Sequence, residues 1–100
     1  MIEDVLEFNK KYSREMDINS RMLDIQSELG ELSKEVLKAT KYGEKDFVAT
    51  ESFKEELGDV LYSLISLGLE CKVDIKRAVL DVLKKYQRRI ENKGNMSSNN

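Results

Sequence analysis

The sequence predicts an all-α chain of four helices that assembles as an oligomeric helical bundle. Apolar residues recur at alternating steps of three and four along four separate segments, and none alternates with period two over a useful length. No proline interrupts any of the four. One of them is apolar around most of its circumference, and a chain of 100 residues buries too little surface to cover such a helix alone.

The first helix is expected over residues 2–16, with Ile2, Val5, Phe8 or Asn9, Tyr12 and Met16 on one face. The second is expected over 20–42. Its stripe is Met22, Ile25, Leu29, Leu32, Val36 and Ala39, with Asp17, Asn19 and Ser20 as possible N-caps and Gly43 as its stop. After the loop at 43–50, Ser52-Phe53-Lys54-Glu55 fits a capping box for a third helix over 52–72. This is the nearly all-round apolar helix, carrying Leu57, Val60, Leu61, Leu64, Ile65, Leu67 and Leu69. Asp74 can cap a fourth over 75–91, whose face is Ile75, Val79, Val82, Leu83, Tyr86 and Ile90. Residues 1–92 thus read as one domain, and 93–100 as a flexible tail of turn-forming composition. The second and third helices should pack on each other and on a second copy of the chain, as a dimer or tetramer.

Composition narrows the function. Charged residues are 36% of the chain, yet the net charge is only −2. The pI near 5.3 argues against nucleic acid or an anionic membrane as partner. No apolar run approaches the roughly 18 residues of a membrane span, and the amphipathic, acidic start is unlike a signal peptide, so a cytoplasmic location is expected. The lone Cys71 lies in an apolar run and reads as buried and inert. There is no histidine. That removes the commonest general base, the usual zinc sites and the Glu-x-x-His sets of di-iron bundles.

Carboxylates carry the chemistry instead. "SELGEL" at 27–32 and "EELGDV" at 55–60 share the pattern Glu-Leu-Gly-acid. On a helix, residues three apart lie about 60° and about 4.5 Å apart, so Glu28 pairs with Glu31, and Glu56 with Asp59. Glu35 extends the first patch. Each of the four acids directly precedes a residue of the apolar stripe, at the same angular offset on both helices. If the stripes meet, the patches face each other. Gly30 and Gly58 cost about 1 kcal/mol each relative to alanine, a cost that a close helix–helix or backbone–ligand approach would offset. Four carboxylates without histidine form a hard oxygen set suited to Mg²⁺, with Mn²⁺ as substitute. Mg²⁺ completes its shell with water and phosphate oxygens, which makes a nucleotide or other polyphosphate the natural substrate. Lys38, near the end of the second helix with Lys34 and Lys41, is the first choice for a phosphate-facing lysine. The plain reading of these lysines is a favourable interaction with the helix dipole.

Residues 20–91 resemble the MazG-like all-α nucleoside triphosphate pyrophosphohydrolases. That family carries Glu-x-x-Glu on one helix and Glu-x-x-Asp on the next, here "SELGE" and "EELGD", and a final helix ending Lys-aromatic-x-Arg-Arg, here Lys85-Tyr86-Gln87-Arg88-Arg89. The resemblance implies that Glu28, Glu31, Glu56 and Asp59 bind Mg²⁺ and carry the reaction. It also implies that Lys85 with Arg88 or Arg89 holds phosphate, and that a nucleoside triphosphate is cleaved to monophosphate and pyrophosphate, in the service of nucleotide-pool cleansing. Leu83 departs from the asparagine some members carry two residues before that lysine. The alternative is a non-catalytic helical dimerisation module whose acids only solvate its surface.

Overall fold

The computed structural model describes residues 1–93 and consists of four helices: α1 (Ile2–Lys11), α2 (Ile18–Ala39), α3 (Glu51–Glu70) and α4 (Ile75–Lys93). The expected tail, apart from Lys93 at the end of α4, lies outside the described residues.

Local chemistry explains the boundaries. Helix α1 stops five residues earlier than the expected 16, where Ser13 takes a left-handed backbone, φ 53°. Asp17 caps α2 by accepting from the backbone N–H of Ser20 at 3.0 Å and from its hydroxyl at 2.7 Å. The end of α2 precedes Gly43 by several residues. Thr40 turns its hydroxyl back onto the Val36 carbonyl, and Lys41, Tyr42 and Gly43 all have positive φ. The capping box expected at Ser52 gives way to Thr50, whose hydroxyl oxygen accepts from Phe53 N–H at 3.0 Å. Asp74 caps α4 through Arg77 N–H at 3.0 Å, as expected.

Helices α2 and α3 form an antiparallel hairpin, the main packing of the chain, and α1 lies on α3. Between α1 and α3 it is Asn9, not Phe8, that is buried. Its amide donates to Ser66 Oγ at 3.0 Å and accepts from the Tyr62 hydroxyl. At the far end of the hairpin, Arg21 and Glu70 form a buried two-pronged ion pair, Nε to Oε1 at 3.0 Å and Nη2 to Oε2 at 2.7 Å. The Met16 N–H also donates to this carboxylate, and Arg21 donates to the Arg14 carbonyl. The turn after α1 is thereby tied to both long helices.

Several expectations about the core change. On α3, Val60 and Ile65 are buried as expected, but Leu57, Leu61 and Leu64 are exposed and Ser63 and Ser66 are enclosed in their place. Helix α4 buries no residue and meets α3 near its own start. A Cβ at Gly68 would sit 2.5 Å from Ile75 Cγ1, so the close approach is here. Among the described residues, nothing lies within 4 Å of a Cβ built at Gly30 or Gly58, so none of them explains those two glycines. Cys71 is exposed, because α3 ends just before it.

Candidate active site

The register of the α2–α3 hairpin can be read from one hydrogen bond near its middle. Ser63 Oγ donates to Asp24 Oδ2 at 3.0 Å. Stepping forward along α2 and backward along α3 from that pair puts Glu28 opposite Asp59, Glu31 opposite Glu56, and Glu35 opposite Ser52. Acids placed by the two local motifs therefore meet because the helices are antiparallel and in this register.

Glu28, Glu56 and Asp59 each offer a carboxylate oxygen within 4.8 Å of the other two. Glu31 is exposed and stands outside that group, although its charge is felt by Glu56. Glu56 Oε2 is enclosed and has no hydrogen-bond donor among the described residues. An acceptor in that state is expensive unless something positive fills the space. Burial, and then the charges of Asp59, Glu31 and Glu35, hold the Glu56 carboxyl above its ordinary 4.5. Glu28 is raised as well, by burial first and then by Asp59, Asp24, Glu56 and Glu31. Both shifts describe carboxylates crowded together without a countercharge. An all-oxygen donor set with one orphaned oxygen fits a hard divalent cation.

Basic residues fall in two places. A cleft of about 470 Å³ opens where α2 ends and α3 begins, bordered by Glu35, Lys38, Lys45, Val48, Thr50 and Ser52. Lys38 Nζ lies 3.4 Å from Glu35 Oε2. Lys85, Arg88 and Arg89 line a separate hollow of about 250 Å³ on α4 with Asn92 and Lys93. Within one chain, that hollow shares no lining residue with the acidic group or with the cleft.

Two residues of this region escaped the sequence reading. Asp24 lies four residues before Glu28 and so continues its helical line, a signal that could have found it. Lys45 belongs to a loop, where no periodicity marks a residue. Near these groups, Phe47 and Phe53 pair with each other at 5.0 Å, and Tyr62 packs edge-on to Phe8 while bonding Asn9.

The profile of the MazG nucleotide pyrophosphohydrolase domain matches residues 16–93, which takes in α2, α3 and α4 and leaves out α1. The uncharacterized protein YpjD of Bacillus subtilis (strain 168) is 35% identical over 86 residues, covering 83% of this chain and 73% of that protein. No solved structure matches significantly.

Proposed function

Because this chain belongs to the family of MazG nucleotide pyrophosphohydrolase domains, we propose that it is a Mg²⁺-dependent enzyme converting a nucleoside or deoxynucleoside triphosphate to the monophosphate and pyrophosphate. The observation that carries the reading is the orphaned Glu56 Oε2, which belongs to one of three clustered carboxylates inside the matched region. Glu28, Glu56 and Asp59 would hold the cation, with Glu31 at the exposed edge of the group. Bound there, Mg²⁺ or Mn²⁺ supplies an anchor for substrate phosphates and acidifies a water.

Glu31 or Glu28 would orient the attacking water and take its proton. The water oxygen bonds to the α-phosphorus and the α–β anhydride bond breaks. The electron pair leaves on pyrophosphate. Lys38 and, from α4, Lys85, Arg88 and Arg89 are the candidates for neutralising the polyanion. No helix among the described residues is long and apolar enough to cross a membrane. A cytoplasmic enzyme cleansing the nucleotide pool suits the proposed substrate.

Hydrolysis in ¹⁸O-labelled water, over a panel of standard and modified triphosphates with Mg²⁺ or Mn²⁺, tests the reading. Label in the monophosphate, with pyrophosphate released and no diphosphate formed, is expected. Label in free orthophosphate, or no turnover of any triphosphate, would reject it in favour of a non-catalytic helical module.

A further inference from the structure

The acidic group and the cleft at the α2–α3 loop are successive steps along one helix pair. Glu35 faces Ser52 one step beyond the facing pair Glu31 and Glu56, and Glu35 borders the cleft. Its charge also reaches Glu56. Lys38 lies seven residues past Glu31, about 10 Å along the axis at 1.5 Å per residue. It is held beside Glu35, whose residue surface is only 9% exposed. Lys45 enters the cleft from the loop and takes part in no ion pair found among the described residues. A cleft carrying two ammonium groups, with the hydroxyls of Thr50 and Ser52 at its rim, suits a compact polyanion. The cationic hollow on α4 borders neither this cleft nor the acids.

We propose that this cleft binds the β- and γ-phosphates of the triphosphate, with Lys45 and Lys38 as their ligands, and so holds the pyrophosphate half of the substrate. The assignment rests on the function proposed above and gives the substrate a direction. The leaving group points to the end of α2, and the nucleoside to the Asp24–Ser63 side of the acidic group. Lys38 exchanges its Glu35 contact for phosphate, while Lys45 is available from the start.

The test uses the full chain and magnesium pyrophosphate as probe. Calorimetry measures pyrophosphate binding, and steady-state kinetics measures triphosphate turnover, for the wild type, Lys45→Ala, Lys45→Arg, Lys38→Ala and the surface control Lys34→Ala. One charge-assisted hydrogen bond corresponds to about a tenfold change in affinity. Lys45→Ala is expected to weaken pyrophosphate binding and lower kcat/KM about tenfold. Lys45→Arg should recover most of the loss, Lys38→Ala should weaken pyrophosphate binding, and Lys34→Ala should change nothing. Equal losses in Lys45→Ala and Lys34→Ala would mean a general charge effect and overturn the assignment. So would wild-type affinity in Lys45→Ala, or no binding of magnesium pyrophosphate by the wild type. The outcomes separate the two claims. Turnover with Lys45→Ala unchanged overturns the cleft and leaves the enzyme standing. Lys45-dependent pyrophosphate binding without turnover supports the cleft and overturns the reaction.

Discussion

Glu56 is where stability and activity pull apart. Its carboxyl is raised above the ordinary 4.5, so the folded state binds a proton more tightly than the unfolded chain does. The sign follows. Relative to a neutral side chain, its ionisation costs folding stability as pH rises above 4.5, and the cost disappears below it. Metal-free Glu56→Gln should therefore melt at or above the wild-type temperature at pH 7, with the difference closing as pH approaches 4.5. Added Mg²⁺ should raise the wild-type melting temperature more than the variant's, and turnover should be lost in the variant. Unfolding of Glu56→Gln at pH 7 would make the acid structural instead. Glu70 has the opposite sign, held below its ordinary value chiefly by the hydrogen bonds from Arg21. Its contribution is present above 4.5 and fades as pH falls through the lowered value. Glu70→Gln leaves Arg21 a buried charge without its partner. Urea unfolding at pH 7 should show a loss of about 3–5 kcal/mol, without any change at the acidic group.

The elements were readable to the extent that their signals are local. Asp17 and Asp74 cap the helices they precede, and the four helices arise from the expected apolar repeats. The third helix shows the limit. Both Thr50 and Ser52 have the chemistry of a cap, but the Thr50 hydroxyl makes the bond. Thermal unfolding should show Thr50→Ala costing about 1 kcal/mol and Ser52→Ala close to nothing. The glycines divide in the same way. Gly30→Ala, in open space within a helix, is expected to stabilise the fold by about 1 kcal/mol. Gly68→Ala must push against Ile75 and should cost about 1–3 kcal/mol, read from chemical denaturation. A stabilised but inactive Gly30→Ala would indicate that a ligand or a second chain approaches that backbone.

At the scale of the molecule the single chain is open. Its radius of gyration is 16.8 Å, against about 13 Å for a compact domain of 100 residues. Leu57, Leu61 and Leu64 on α3 and Val79, Leu80 and Leu83 on α4 are all more than a third exposed. Burying an aliphatic side chain of this kind contributes about 1.5–3 kcal/mol. The expected solution species is therefore a homo-oligomer that covers these faces. Sedimentation equilibrium should give a multiple of 11.6 kDa at micromolar concentration. Leu83→Asp, on the wholly unburied α4, should shift it toward smaller species. A folded wild-type monomer would refute the oligomer.

Sequence alone determined the number of helices, the Asp74 cap, Asp17 among three candidate caps and the spacing of the paired acids, because helix formation and Glu-x-x-acid spacing act over three or four residues. The absence of histidine also limits the proposed donor set to oxygen. Tertiary structure decided what no local repeat encodes. The packing of α2 on α3, with the Asp24–Ser63 bond and the Arg21–Glu70 pair across it, holds the register that brings Glu28 to Asp59 and Glu56 while leaving Glu31 at the edge. Asn9 lies buried instead of Phe8 because Ser66 and Tyr62 offer it partners across α1 and α3. Lys45 reaches the cleft because the chain turns through Lys41, Tyr42 and Gly43 with positive φ. Each depends on two distant segments meeting at one offset, and a residue's own neighbours in sequence carry no record of that offset.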